Sequence, residues 1–67
     1  MNKIFVERLI ELRKRENLSQ RDLAIAIHST QAAVSLWERG ERTPNIDVLT
    51  KIADLFKVSA DDLLGRE

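Results

Sequence analysis

The chain has 67 residues, no cysteine, and 11 basic against 11 acidic side chains, so its formal net charge is zero at pH 7. This length predicts one small domain, residues 1–67, with a purely hydrophobic core, because disulfides and thiolate metal sites are excluded. The N-terminus lacks a signal-peptide h-region and no run is long enough to cross a membrane, so the sequence predicts a cytoplasmic protein.

The charges are distributed unevenly along the chain. Residues 1–17 carry five basic and three acidic side chains, whereas residues 44–67 carry three basic and five acidic ones. Zero net charge argues against nucleic acid as a partner, since a basic patch is the usual footprint of such proteins. The uneven distribution still allows a basic N-terminal half to face phosphate, and an ordinary mixed surface is the alternative.

Apolar residues recur at helical spacing from the start of the chain, and no segment alternates like a strand over more than a few residues. The first helix is predicted from Lys3 to Glu16, with Asn17 as its stop. Its inward-facing positions are Phe5, Leu9 and Leu12. The second helix is predicted to begin after Ser19, because Ser19 and Asp22 form a capping box. Its inward-facing positions are Leu23, Ala24 and Ile27.

A short turn at His28-Ser29 separates the second helix from a third. Thr30 is a favourable N-cap, and the third helix is predicted to end near Glu38, before Gly40 supplies a C-terminal stop. Its inward-facing positions are Val34 and Trp37. Two short helices joined by a tight turn, over about residues 20–39, are one of the few compact devices that read duplex DNA.

The fourth helix is predicted from the Asn45 cap to Phe56. Its predicted buried residues are Ile46, Leu49, Ile52, Ala53 and Phe56. A second capping box, Ser59 with Asp62, is predicted to open a one-turn fifth helix that Gly65 ends. Five short helices without strands predict an all-α domain, and helical periodicity alone assigns no function to it.

Several short motifs follow one another in a fixed order from about Phe5 to Leu64. They are Leu12-Arg13, Leu18-Ser19-Gln20, Leu23-Ala24, Val34-Ser35, Trp37-Glu38-Arg39-Gly40, Pro44, Leu49, Ile52-Ala53, Val58-Ser59 and Leu63-Leu64. Each motif is weak alone, but together they resemble the lambda-repressor-like helix-turn-helix family, the Cro/XRE group of phage and bacterial repressors. The resemblance implies a compact five-helix domain that binds operator DNA, commonly as a dimer on a palindrome.

The resemblance also implies a set of residues that contact DNA: Gln20, Thr30, Gln31, Ala32, Ser35, Arg39 and Arg42. Gln31 lies where many members read a base, and a side-chain amide can pair bidentately with adenine. Gln20 corresponds to a phosphate contact that also supports the third helix. Arg39 and Arg42 flank a loop that meets the sugar–phosphate backbone in relatives. Ordinary solvated side chains are the alternative for these positions.

Further positions either follow the family or depart from it. The resemblance implies a partly buried ion pair between Arg13 and Glu38, which ties the first helix to the end of the third. His28 stands where the family usually has glycine, at a position that commonly needs positive φ, so we expect a slightly strained turn. Glu41 stands where a basic residue would help binding, so we expect fewer phosphate contacts than in relatives.

Two pairs of apolar residues are candidates for protein contacts. Leu63 and Leu64 are the candidates for a homodimer contact. Val6 and Ile10 lie one helical turn apart, where relatives commonly carry polar side chains. They either widen the core or form an exposed apolar patch for a regulatory protein partner.

The sequence therefore predicts a transcriptional regulator, a repressor of bacterial or phage origin associated with the nucleoid. Its third helix would enter the major groove of a palindromic operator as part of a homodimer. The alternative is a protein-interaction module or antitoxin-like partner protein that retains the fold. An enzyme is disfavoured, because the chain has no cysteine nucleophile, a single histidine in a turn and no metal-ligand spacing. No catalytic residue, metal, cofactor, small-molecule substrate or membrane contact is predicted.

Overall fold

The computed structural model describes residues 3–65, which form five α-helices in the predicted order. They are α1 (Lys3–Arg15), α2 (Gln20–Ala26), α3 (Gln31–Glu38), α4 (Ile46–Phe56) and α5 (Ala60–Leu64). Residues 3–65 contain no strand, so the predicted all-α, five-helix class is confirmed. Within the same residues, none of the helices has the length and apolar character that crossing a bilayer demands.

The core consists of apolar side chains from all five helices. Its buried members are Phe5, Leu9, Leu12, Leu23, Ala24, Ile27, Val34, Trp37, Leu49, Ile52, Ala53, Phe56 and Leu63. Every residue that the periodicity predicts to face inward on the first three helices is in this set. Trp37 is among them, so its indole packs in the core, as predicted.

Two predicted positions are wrong. Ile46 is predicted in the core but is 69% exposed. The prediction fails because periodicity indicates only the side of the helix on which a residue lies, and not whether another element covers that side. Leu63 is predicted to form a dimer contact but is fully buried within the chain. Consecutive helical residues point about 100° apart, so Leu63 faces the core while Leu64 lies half-buried at its edge.

Side-chain caps begin four of the helices. The side chains of the N-cap residues of α2 to α5 each accept a hydrogen bond from a backbone N–H three residues on; they are Ser19, Thr30, Asn45 and Ser59. The capping box of α2 is complete, and the backbone N–H of Ser19 lowers the pKa of the Asp22 carboxyl, helped by the Ser19 hydroxyl. This contribution to stability is present above the ordinary pKa of Asp22 and is lost as pH falls through the lowered value.

The second predicted capping box is only half formed. Ser59 accepts a hydrogen bond from the Asp62 N–H at 2.9 Å, as predicted. The Asp62 carboxylate, however, accepts from Arg8 Nη2 at 2.7 Å, and Arg8 also pairs with Glu11. The Asp62 side chain therefore links α5 to α1. The two residues are 54 positions apart, which explains why local motifs did not reveal the contact.

Four helices end in the same backbone motif. The residues just past α1, α2, α3 and α4 have positive φ: Asn17 (57°), His28 (59°), Gly40 (76°) and Lys57 (57°). The backbone N–H of each of these residues donates to the carbonyl of the residue three positions earlier. The N–H of the residue that follows donates to the carbonyl five positions before its own. This is the Schellman motif, in which the left-handed position favours glycine. The positive φ expected at His28 is confirmed.

We expect His28→Gly to raise the free energy of unfolding by about 0.5–1 kcal/mol. A left-handed conformation costs an L side chain about 1–2 kcal/mol, and the greater entropy of glycine in the unfolded chain offsets part of this gain. His28 is exposed, so little packing is lost. Urea denaturation followed by circular dichroism measures the change.

The matched control is Lys51→Gly, at an exposed position inside α4. There glycine should lower the free energy of unfolding by about 1 kcal/mol, because the backbone is right-handed. If His28→Gly destabilises the protein as much as Lys51→Gly, the turn is not strained.

Candidate nucleic-acid interface

The site is built on α2 and α3, whose contact is the most extensive between any two helices of residues 3–65. Four residues, 27–30, separate the two helices, and they include the predicted turn at His28-Ser29. Leu23 and Ala24 of α2, with Val34 and Trp37 of α3, are buried between the helices and the rest of the core. This packing leaves the opposite side of α3 in solvent.

Polar and small side chains occupy the N-terminal end of the solvent side of α3. Gln31 and Ala32 are exposed, and Ser35, one turn further on, is half-buried. Thr30 is exposed, and its Oγ1 accepts a hydrogen bond from the Ala33 N–H at 3.1 Å. Because a hydroxyl accepts and donates at once, Thr30 retains its O–H for a ligand. The structure thus brings together four residues of the predicted DNA-contact set.

A closed network of charged hydrogen bonds supports the other end of α3. Arg13 Nε donates to Glu38 Oε2 at 2.6 Å, and Arg13 Nη2 donates to Glu38 Oε1 at 3.0 Å. The side chains are only 13% and 7% exposed, so the predicted, partly buried ion pair is confirmed. Arg13 Nη1 also donates to the carbonyl of Leu18 at 2.8 Å. One guanidinium therefore connects α1, the loop before α2, and the last residue of α3.

Gln20 joins the same network. Its Nε2 donates to Glu38 Oε1 at 3.1 Å, so the first residue of α2 holds the last residue of α3. The support of the third helix expected from Gln20 is therefore confirmed. The amide nitrogen faces Glu38, so only its second N–H remains as a donor for a phosphate.

The loop after α3 contains the two predicted arginines, Arg39 and Arg42, and both are exposed. Arg39 Nε donates to Glu41 Oε2 at 2.7 Å. The sequence motifs do not predict this pair, although Glu41 stands where a basic residue would help binding. The available signal was Gly40, because a left-handed residue between two side chains reverses the chain and brings them together.

Val6 and Ile10, the candidates for a protein-partner surface, are not exposed enough to form an apolar surface patch. Val6 is half-buried and packs against the core, and Ile10 is also half-buried. For Val6 the structure therefore agrees with a widened core on α1. The most exposed large apolar side chains within residues 3–65 are Ile46 (69%) and Ile25 (63%). In the same part of the chain, no cluster of three or more histidine, cysteine, aspartate or glutamate residues is placed to hold a metal ion.

A capped pair of packed helices, with the second helix open to solvent along its N-terminal end, defines a helix-turn-helix protein. The model of the helix-turn-helix family matches residues 9–63, and the chain belongs to this family. Two curated relatives extend the match to almost the whole chain. The HTH-type transcriptional activator BcrR of Enterococcus faecalis is 40% identical over 94% of this chain and 31% of its own length. The HTH-type transcriptional regulator AnsR of Bacillus subtilis is 39% identical over 92% of this chain and 53% of its own.

The chain thus spans about a third to a half of the length of these two relatives. A solved structure, that of the P22 c2 repressor protein in complex with a synthetic operator, matches this chain over nearly the full length of both chains. Its TM-score is 0.87 at 30% identity, and the match covers 94% of this chain and 96% of that one.

Proposed function

We propose that the chain is a sequence-specific, DNA-binding transcriptional regulator that places α3 in the major groove of duplex DNA. The observation that carries the proposal is the exposed end of α3, where Thr30, Gln31 and Ala32 stand on a helix held from behind by Arg13 and Glu38. The similarity to a repressor that was solved with its operator, along nearly the full length of both chains, supports it.

Each exposed residue has a role suited to its chemistry. Gln31 reads an adenine through a bidentate amide contact, and the Ala32 methyl contacts a thymine methyl. Ser35 reaches a base or the backbone one turn further on. Phosphates are bound by Thr30 and by the remaining N–H of Gln20, with Arg39 and Arg42 at the loop. Such contacts fix the register of the protein on the duplex but carry no sequence information.

The regulator acts as a homodimer on a palindrome in the bacterial cytoplasm, associated with the nucleoid, and represses by occupying its operator. A two-fold axis would set two copies of α3 about 34 Å apart on one face of the duplex. Leu64 remains a candidate for the dimer contact, and Val58, which is half-buried in the loop before α5, is a further one.

In vitro selection from a random duplex library, with purified protein at physiological salt, tests the proposal. We expect a two-fold symmetric motif with an A·T pair in each half, as the amide of Gln31 favours adenine. A motif without symmetry would contradict the homodimer but not the DNA-binding function. Enrichment of no motif by a folded protein would contradict sequence-specific binding.

We expect Gln31→Ala to relax specificity at one base pair of each half-site. A bidentate contact discriminates against the wrong base by about 1–3 kcal/mol, so up to about a hundredfold in preference should disappear at that position alone. The matched control is Arg42→Gln, a proposed phosphate contact, which should weaken binding to all sequences alike and flatten the salt dependence. Loss of preference in both variants, or in neither, would contradict the assignment of Gln31.

A protein-interaction module, such as an antitoxin-like partner protein, is the second candidate function. The exposure of Ile25 (63%) and Ile46 (69%) favours it, because a protein contact would remove these apolar side chains from water. The regulatory partner expected at Val6 and Ile10 belongs to the same hypothesis, although both side chains are half-buried. Salt titration distinguishes the two functions, because each phosphate contact contributes about −0.9 to the slope of log Kobs against log salt.

A further inference from the structure

One exposed ion pair lies in the loop that follows α3. Arg39 Nε donates to Glu41 Oε2 at 2.7 Å, and the two side chains are 57% and 58% exposed. Gly40 lies between them with a φ of 76° and reverses the chain, so that its neighbours on both sides meet. The Glu41 carboxylate thus occupies the Nε–H of Arg39, at the edge of the proposed DNA-binding face.

The backbone keeps Glu41 beside Arg39. The N–H of Glu41 donates to the Leu36 carbonyl at 2.9 Å, and the N–H of Gly40 donates to the Trp37 carbonyl at 3.1 Å. In a Schellman motif, the residue in the place of Glu41 frequently makes an apolar contact with the helix. Here that residue is a carboxylate, and its partner is an arginine.

We propose that Glu41 is an internal competitor for DNA phosphate at Arg39, and that it thereby lowers the affinity of the chain for any duplex. The inference rests on the proposed function, because it requires Arg39 to face the phosphate backbone. Carboxylate and phosphate are both anionic acceptors for a guanidinium, so the N–H that binds Glu41 is not free for phosphate. A phosphate at Arg39 would also lie close to the charge of Glu41, which repels it.

The strength of the pair suits this role. An exposed ion pair shifts an equilibrium by no more than about fivefold, so a phosphate can displace Glu41. Residues 18–43, which contain the helix-turn-helix and the loop after it, carry only three basic and three acidic side chains, so each cation is a large share of the positive charge there. By contrast, the ion pair of Arg13 and Glu38 is partly buried, with side chains only 13% and 7% exposed.

The test measures the binding of one short random-sequence duplex over a series of salt concentrations. The proteins are the wild type, Glu41→Gln, Arg39→Gln and the double variant. Asp54→Asn is the control, because it removes one negative charge from an exposed position of α4. We expect Glu41→Gln to bind about two- to fivefold tighter than the wild type at physiological salt. Its salt slope should be steeper by about 0.9, the value for one added phosphate contact.

The double variant tests whether the effect passes through Arg39. It should differ from Arg39→Gln no more than Asp54→Asn differs from the wild type, because Glu41 then has no guanidinium to occupy. If Glu41→Gln and Asp54→Asn bind alike while the wild type shows salt-dependent binding, the role of Glu41 is overturned and the proposed function stands. If none of the five proteins shows salt-dependent binding, the proposed function is overturned together with this inference.

Discussion

Glu38→Ala should lower the free energy of unfolding by about 3 kcal/mol, a large fraction of the stability of so small a domain. The substitution leaves the guanidinium of Arg13, which is only 13% exposed, without its carboxylate. It also removes the acceptor of the Gln20 amide. A buried charge without its partner is far more costly than a lost surface pair. Urea denaturation followed by circular dichroism gives the change.

Two variants serve as controls for this prediction. Arg8→Ala breaks an ion pair with Asp62 in which both side chains are considerably more exposed, so it should cost no more than about 1 kcal/mol. The double variant Arg13→Met with Glu38→Leu replaces both charges by apolar side chains and should recover most of the loss. Equal effects for Glu38→Ala and Arg8→Ala would mean that burial adds nothing to the Arg13–Glu38 pair.

Leu63→Ala should lower the free energy of unfolding by about 3 kcal/mol, within the range of about 2–5 kcal/mol for a truncated core leucine. Leu63 is fully buried although α5 has only five residues, and α5 packs against α1 and α4. Removing its side chain leaves a cavity at the junction of these three helices. Urea denaturation measures the loss.

Leu64→Ala is the matched control, since the neighbouring leucine lies at the edge of the core and should cost clearly less. Sedimentation of both variants under conditions in which they remain folded separates stability from association. Because Leu63 is fully buried, we expect Leu64→Ala, and not Leu63→Ala, to change the oligomeric state. A stable Leu63→Ala variant with altered association would restore Leu63 as a dimer contact.

Local sequence signals predicted the helices well. The start or end of a helix is set by a few neighbouring residues, so capping residues such as Ser19 and Thr30 and the left-handed stop at Asn17 could be recognised directly. The family resemblance added the Arg13–Glu38 pair, which joins residues 25 positions apart and has no local signal. Packing decided the rest. Periodicity could not show that the first turn of α4 leaves Ile46 uncovered.

The exposure of the candidate site residues could be predicted from the sequence, but the ion pair that involves Arg39 could not. Gln31, Ala32 and Thr30 are exposed at the N-terminal end of α3, as the motif implies. The pairing of Arg39 with Glu41 depends on the path of the loop around Gly40, and hydrophobic patterns carry no information on that path. Contact of these residues with a base or a phosphate stays a prediction until DNA binding is measured.

The length of α3 has a thermodynamic consequence for recognition. A helix of eight residues is too short to persist alone in water, so α3 owes its order to the core and to the network at Glu38. Fixing each backbone residue costs about 1–2 kcal/mol of conformational entropy, and here folding bears that cost before any ligand arrives. A surface that folding has already ordered loses little further conformational entropy when a ligand binds to it. Complementarity of shape and the release of bound water and ions would then set the affinity, rather than coupled folding.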